Sequence, residues 1–472
     1  MVFNSLLFVY FFVVVTSLYF ILKHKYRWPL LLMSSCYFYM AFVPIYILIL
    51  GFTVVIDYFA GIYIDKHQGK KRKWFLIASL IANIGVLAMF KYYNFLNDNL
   101  TAVLGDFNMH NPFPYLAILL PIGLSFHTFQ AMSYTIEVYR GNQKPERNFG
   151  IYALYVMFYP QLVAGPIERP QNVIHQFHEK HTFKYDQVSM GLKIMLWGFF
   201  KKIVIADRLA IYVNAVYNNP THHSAITLFI ATVLFTLQLY CDFSGYSDIA
   251  IGAARVMGFK LMTNFRRPFL GRGFADIWSR WHLSLTTWFR DYLYFPLGGN
   301  RGGMLLRIRN LYIVYMISGL WHGASWNFVI WGFLHCCFLV LQEIFRKPLK
   351  WIVKVLGPVA IFFQIAVPFL IACIVNVFFR ARTFGDSWYI IKSIFTLKGK
   401  GVYLGEPQSA FFYSVFAILA LYTVEICQEF YPKIKLFNHQ NVAVRYTGYA
   451  LAITILLMIG VFNGGQFVYF QF

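Results

Sequence analysis

Carboxylates are scarce in this chain. Nineteen Asp and Glu stand against forty-one Lys and Arg in 472 residues, and charged side chains of either sign make up only 13%. A soluble protein of this length needs a far more polar surface, so that class is excluded. Cysteine is scarce too. Cys36, Cys241, Cys336, Cys337, Cys373 and Cys427 lie in apolar stretches, without disulfide or ligand spacing, and read as small buried hydrophobes. No metal site is expected. Internal repeats, low-complexity tracts and polar linkers are absent, which implies one domain over 1–472. No G-x-S-x-G nucleophile elbow occurs. Residues 2–22 lack a basic leading region and a small-residue cleavage site, so they read as a retained first span.

What the chain has in abundance is apolar. Hydrophobic residues reach 59% and mean hydropathy is +0.55, values of an all-α protein that crosses a membrane many times. The net charge of +22 invites a nucleic-acid reading. The basic residues, however, fall in short clusters between apolar runs, the pattern of cytoplasmic loops, and nucleic acid is not expected as a partner. "KHKYR" (23–27) and "KHQGKKRK" (66–73) bracket a stretch, 28–64, long enough for a hairpin of two spans of about 20 residues each. Residues 74–90 then cross outward, and 92–111, without Lys or Arg, read as an external loop. Continued along the chain, this bookkeeping gives about eleven spans with both termini outside.

Three stretches depart from this pattern. Residues 254–310 carry ten Lys or Arg against only Asp276 and Asp291. Positive-inside sorting accounts for such an excess; so does a docking face for a polyphosphorylated cytosolic ligand, with Arg266, Arg267, Arg272, Arg280 and Arg290 as candidates. Within it, "ADIWSRWHLSLTTWFRDYLY" (275–294) puts Trp278, Trp281, Leu285, Trp288 and Tyr292 on one helical face and His282, Thr286 and Arg290 on another. An interfacial helix with its aromatics in lipid is expected. Next, "FTLQLYCDFSGYSDIAIG" (235–252) sets Gln238, Asp242, Gly245, Asp248 and Gly252 along one stripe of an apolar span. Ionisable groups at membrane depth face a cavity or a partner, so the stripe either lines a passage or joins helices. Finally, in "YIVYMISGLWHGASWNFVIWG" (312–332) His322 is flanked by Gly319 and Gly323. It is either a satisfied core histidine or a general base with room left for a reactant.

At these residues the chain resembles the membrane-bound O-acyltransferases, above all the membrane subunits that O-acetylate bacterial alginate or peptidoglycan. The resemblance runs nearly the whole length, through "LLPIGLSFHTFQAMSYTIEVYRG" (119–141), "FYPQLVAGPIERP" (158–170), "GFFKKIVIAD" (198–207), "QLYCDFSGYSDIAIG" (238–252), "IWSRWHLSLTTWFRDYLYFPLGGNRGG" (277–303) and "GLWHGASW" (319–326). It departs at Ile277, where the family pattern has Phe. The resemblance implies a ring of helices around a thinned core with a central tunnel. It also implies an inner-membrane enzyme that passes an acetyl group outward from acetyl-CoA, with no permanently bound cofactor. His322 matches the family's central histidine and His282 its cytosol-side one; Gln238 and Asp242 of the polar stripe are the candidates for lining the donor's way. The ending "FVYFQF" is similar to an external tyrosine motif, which makes Tyr469 an acyl relay rather than only an interfacial anchor. A secreted or membrane-anchored SGNH/GDSL-like partner would then acetylate an extracytoplasmic polysaccharide. Transfer of D-alanyl or another acyl group is the alternative within the family. A transporter or an export scaffold are the rivals outside it.

Overall fold

The computed structural model describes residues 1–462 apart from 118, 119, 164, 432, 434–436 and 438. All regular structure among the described residues is helical. Among the described residues, seven helical stretches are long and apolar enough to cross a bilayer: Tyr46–Lys66, Gly69–Asp106, Ala225–Met257, Trp326–Ile344, Arg346–Arg380, Gln408–Phe430 and Val442–Ile459. The protein is therefore a multi-pass membrane protein. The described chain divides into two compact units, each assembled from separated segments.

The first unit comprises Met1–Met195 and Ser247–Met262. It holds α1 (Leu6–Ile21), α2 (Arg27–Met40), α3 (Tyr46–Lys66), α4 (Gly69–Leu87), α5 (Tyr93–Asp106), α6 (Leu124–Arg140), α7 (Phe149–Met157), α8 (Tyr159–Leu162), α9 (Pro170–His178) and the start of α10 (Tyr185–Phe199). The expected hairpin over 28–64 forms, but its first arm, α2, is only 14 residues. That is about 21 Å of helix, short of the 30 Å hydrocarbon core. Residues 92–106 are not the loop expected from their lack of basic charge. A five-residue π turn (Ala88–Tyr92) carries α4 directly into α5. No proline interrupts this run, and it stops only after Gly105, where Asn108 takes a left-handed conformation. Charge patterning reports the side of the membrane, not the helical state. Deep between α3, α4 and α6, Asp57 accepts hydrogen bonds from Ser79 Oγ (2.6 Å) and Asn83 Nδ2 (2.8 Å), so this buried carboxylate is fully provided for.

The second unit comprises Leu196–Tyr246 and Thr263 onward. After the end of α10 come a π turn (Phe200–Ala206), α11 (Asp207–Tyr217) and α12 (Ala225–Met257), whose last residues belong to the first unit. Then follow α13 (Phe274–Trp278), α14 (Leu283–Phe289), α15 (Met304–His322), α16 (Trp326–Ile344), α17 (Arg346–Leu356), α18 (Ala360–Arg380), α19 (Phe384–Phe395), α20 (Gln408–Phe430) and α21 (Val442–Ile459). The polar stripe of α12 serves helix joining at two of its positions. A Cβ on Gly245 would come within 2.9 Å of the Gly198 carbonyl, so only glycine admits this approach. One turn earlier, Asp242 meets Lys202 of the π turn at 2.7 Å, and Lys202 also holds Asp207 at 2.7 Å. All three side chains are buried. An uncompensated ion at that depth would be strongly unfavourable, so the triad locks α11 and α12 together.

The expected interfacial helix over 275–294 is also corrected. It breaks into α13, a turn, α14 and a π turn (Arg290–Tyr294), because His282 adopts a left-handed φ of 43°. For a residue with a Cβ that conformation costs roughly 1–2 kcal/mol. Neighbouring bonds offset the cost: Arg266 N–H donates to Arg280 O and Leu283 N–H to Asn264 O, both at 2.9 Å. Trp281, Leu285 and Trp288 are buried in protein, not turned to lipid.

Candidate active site

His322 closes α15, and α16 folds back immediately beyond it. Three glycines make that hairpin tight. A Cβ on Gly319 would lie 2.2 Å from Phe328 O, one on Gly332 2.2 Å from Tyr315 O, and one on Gly323 2.0 Å from the Phe328 ring. The space beside His322 that the sequence reserved for a reactant is thus occupied by the partner helix. The glycines bring α15 and α16 together instead. The imidazole is buried and walled by edge-on rings: Trp321 at 5.0 Å, Trp331 at 5.1 Å and Phe379 at 5.4 Å. Trp331 is itself fixed, since its indole N–H donates to Asn376 Oδ1 (2.9 Å) on α18, and Asn376 Nδ2 donates to Thr236 Oγ1 (3.2 Å) on α12. Three helices therefore converge to orient the rings around one imidazole.

His282 belongs to the same cluster. Trp321 stands between the two histidines, 6.1 Å from His282 and 5.0 Å from His322. Asn264 Oδ1 accepts from Ser284 N–H (3.3 Å), which fixes that atom as the oxygen, and it also faces His282 Nδ1 at 3.0 Å. Nδ1 is then the protonated nitrogen of a neutral ring, and Nε2 carries the lone pair. Burial favours this neutral form by pushing the imidazole's pKa down to about 3. A neutral, oriented imidazole can exchange a proton; a permanently charged one cannot.

The arginines separate into three groups. Arg267 and Arg280 converge on Glu429 of α20 at 2.7 and 2.8 Å, and Arg280 also bonds Asp276. Acids far along the chain thus offset part of the excess counted within 254–310. Arg266 and Arg272 are exposed, and the Arg272 backbone N–H donates to Asp276 Oδ2. Arg290, paired with its neighbour Asp291 at 2.8 Å, lines a cleft of about 960 Å³ together with Arg307, Arg346, Lys350 and Glu343, which pairs with Arg307 at 3.3 Å. Its deeper wall is apolar and includes Leu311, Val314, Tyr315 and Trp278. Four cations at the rim and an apolar throat match a ligand with an anionic head and an uncharged tail. Of these four cations the sequence candidates included only Arg290: Arg346 and Lys350 lie beyond the basic segment 254–310, and Arg307 was counted in it without being singled out. Sequence reasoning also missed His335, buried against Trp331 (4.7 Å) and Trp278 (5.2 Å). The signal available was its position, four residues after Trp331 on the face of α16 that already carried an aromatic. Gln238 is buried on α12, and Asp242 is committed to Lys202. Tyr469 lies outside the described residues. Among the described residues no group of three or more His, Cys, Asp or Glu is placed to hold a metal.

A multi-pass helical membrane protein with two aromatic-caged histidines beside a basic-rimmed cleft has the makings of a membrane-embedded transferase. Comparison with known proteins narrows the class. The model of MBOAT, the membrane-bound O-acyltransferase family, matches residues 143–355. The probable alginate O-acetylase AlgI of Pseudomonas aeruginosa is 37% identical over 411 residues, 84% of this chain and 75% of that protein. The peptidoglycan O-acetyltransferase of Helicobacter pylori is 32% identical over 467 residues, 90% and 85% of the two chains. The teichoic acid D-alanyltransferase of Bacillus subtilis is 25% identical over 304 residues, 61% and 74%. The chain belongs to the membrane-bound O-acyltransferase family, and it is an O-acyltransferase.

Proposed function

We propose that the protein takes an acetyl group from cytosolic acetyl-CoA and delivers it across the bacterial cytoplasmic membrane. There the group O-acetylates an extracytoplasmic polysaccharide through a secreted or membrane-anchored esterase-like partner. One observation carries this reading. Trp278 lines the cleft with the four-cation rim, and its ring also meets Trp331, one of the rings around His322. The two more similar relatives are named for O-acetyl transfer, to alginate and to peptidoglycan, which supports the choice of acyl group.

In the proposed step the phosphates of the donor sit at Arg290, Arg307, Arg346 and Lys350, and its thioester arm follows the apolar wall inward. His322 withdraws the proton of the acceptor hydroxyl, the Tyr469 phenol, as that oxygen attacks the thioester carbonyl. The C–S bond breaks, the imidazolium returns its proton to the leaving thiolate, and the products are an acetyl ester and free CoA. On this reading both termini lie outside, as the distribution of basic clusters implies, where a partner would meet Tyr469.

Two results check this. Replacing Arg346 and Lys350 with alanine should raise the KM for acetyl-CoA roughly tenfold, about 1.4 kcal/mol, with kcat little changed. A short uncharged acetyl thioester should be used equally by both proteins. Equal loss for both donors would mean that the rim charges set topology alone. Tyr469→Phe keeps the ring that an interfacial anchor needs and removes only the hydroxyl that a relay needs. It should stop polysaccharide acetylation and remove the acetyl-bearing C-terminal peptide from mass spectra. Normal acetylation by this variant would end the relay reading.

A further inference from the structure

We propose that α17 lies flat in the membrane surface and that its Lys347 and Lys354 bind the phosphates of anionic phospholipids. The leaflet itself then holds one wall of the cleft. Nothing in this depends on which donor the cleft takes.

Length is the first constraint. The apolar stretch Arg346–Arg380 runs to 35 residues. As one straight helix it would measure about 52 Å, far more than the roughly 30 Å of a hydrocarbon core. With its 21 residues, α18 alone covers about 32 Å and so crosses by itself. The chain breaks between the two helices, at Gly357 with a positive φ of 55° and then Pro358, which has no N–H to continue the ladder of α17. The eleven residues of α17 have no depth left to cross.

The side chains give its orientation. At helical spacing Arg346, Lys347, Lys350 and Lys354 fall within one arc of about 100°, and Trp351, Ile352, Val355 and Leu356 take the opposite side. That apolar side has no protein cover: Trp351 is 67% exposed, Val355 63% and Ile352 42%. The helix stands between the apolar spans α16 and α18, so the bilayer is the apolar phase its bare side meets. The edge formed by Arg346, Leu349, Lys350 and Val353 walls the cleft. Lys347 and Lys354, seven residues apart, stand between that edge and the lipid side. This is headgroup level, where a lysine lays its stem on apolar surface and sets its ammonium among phosphates. Arg346 reaches Glu343 (3.9 Å), but Lys347 and Lys354 form no ion pair among the described residues. Two cations without an internal counter-ion, beside a bare apolar face, fit an anionic lipid better than a neutral one.

Full-length protein in nanodiscs, followed by hydrogen exchange of the backbone amides over 346–356, tests this. Replacing about a third of the phosphatidylcholine with phosphatidylglycerol should slow their exchange roughly tenfold. Lys347→Gln with Lys354→Gln should remove that slowing, while exchange in α16 and α18 stays as in the wild type. Val355→Glu, a change at an exposed position, should speed α17 exchange in both kinds of disc. Inorganic phosphate added to discs of phosphatidylcholine alone should have no effect. Equal exchange in the two discs, or a phosphatidylglycerol effect kept by the double variant, overturns the lipid site. The same slowing produced by inorganic phosphate would make the lysines a soluble-anion site and overturns it too. Protection that needs two copies per disc, whatever the lipid, gives the apolar face to a second chain and overturns it as well. No arm of this experiment uses acyl transfer, so loss of the donor reading and loss of the lipid site are separate results.

Discussion

His322→Ala is expected to abolish acyl transfer, with a fall of about 10²–10⁴ in kcat, the range that a lost general base produces. The ring is also part of the packing. It fills the space between Trp321, Trp331 and Phe379, and removing a buried ring of that size destabilises by some 3 kcal/mol in comparable cores. His322→Gln separates the two effects, because it keeps most of the volume and a polar tip but cannot shuttle a proton. The informative measurement is transfer activity beside the melting temperature in detergent. Wild-type melting with no transfer places His322 in the chemistry; activity within a few-fold of wild type in the folded glutamine variant removes it. His282, neutral and braced by Asn264, should tolerate substitution less evenly.

The second large effect is one of stability. Lys202→Met leaves Asp207 and Asp242 buried without their shared cation, a change of the kind that costs about 3–5 kcal/mol. The variant should express poorly or melt well below wild type. Adding Asp207→Asn and Asp242→Asn should recover much of the loss, because the three uncharged side chains then make no demand for a counter-ion. A single variant as stable as wild type, or a triple variant no better than the single one, would show that the triad does not lock α11 to α12. Transfer activity, read alongside, distinguishes this lock from a role in lining the donor's path.

How far these features were legible in the sequence depended on the distance between partners. The apolar runs, the 33-residue α12 and the isolated His322 announce themselves locally, through composition and spacing. The break at His282 does not. Helical periodicity continues smoothly through 275–294, and only the bonds to Asn264, eighteen residues back, reveal the turn. Nothing local to "GFFKKIVIAD" marks Lys202 as one half of an ion pair, since its partner Asp242 lies forty positions on. In the same way Arg267 and Arg280 looked unopposed until α20 supplied Glu429. The glycines beside His322 were found for the right positions and the wrong reason. A small residue signals close approach, but not what approaches.

The Lys202 triad also bears on how the chain enters the bilayer. Taken alone, α12 carries Asp242 into a span otherwise apolar enough to cross, and a bare carboxylate at a helix centre opposes insertion by about 2.5–3.5 kcal/mol. The segment before it carries Lys202, with a penalty of the same order. The two meet as a hairpin of consecutive segments, and together they present a shared proton-donor and acceptor set instead of two isolated charges. Membrane integration of this region is thus a paired event: α12 should be retained in the bilayer only after the α10–α11 arm is available to receive it. A truncated nascent chain that begins after Asp207 should integrate α12 less efficiently than one that begins before Tyr185.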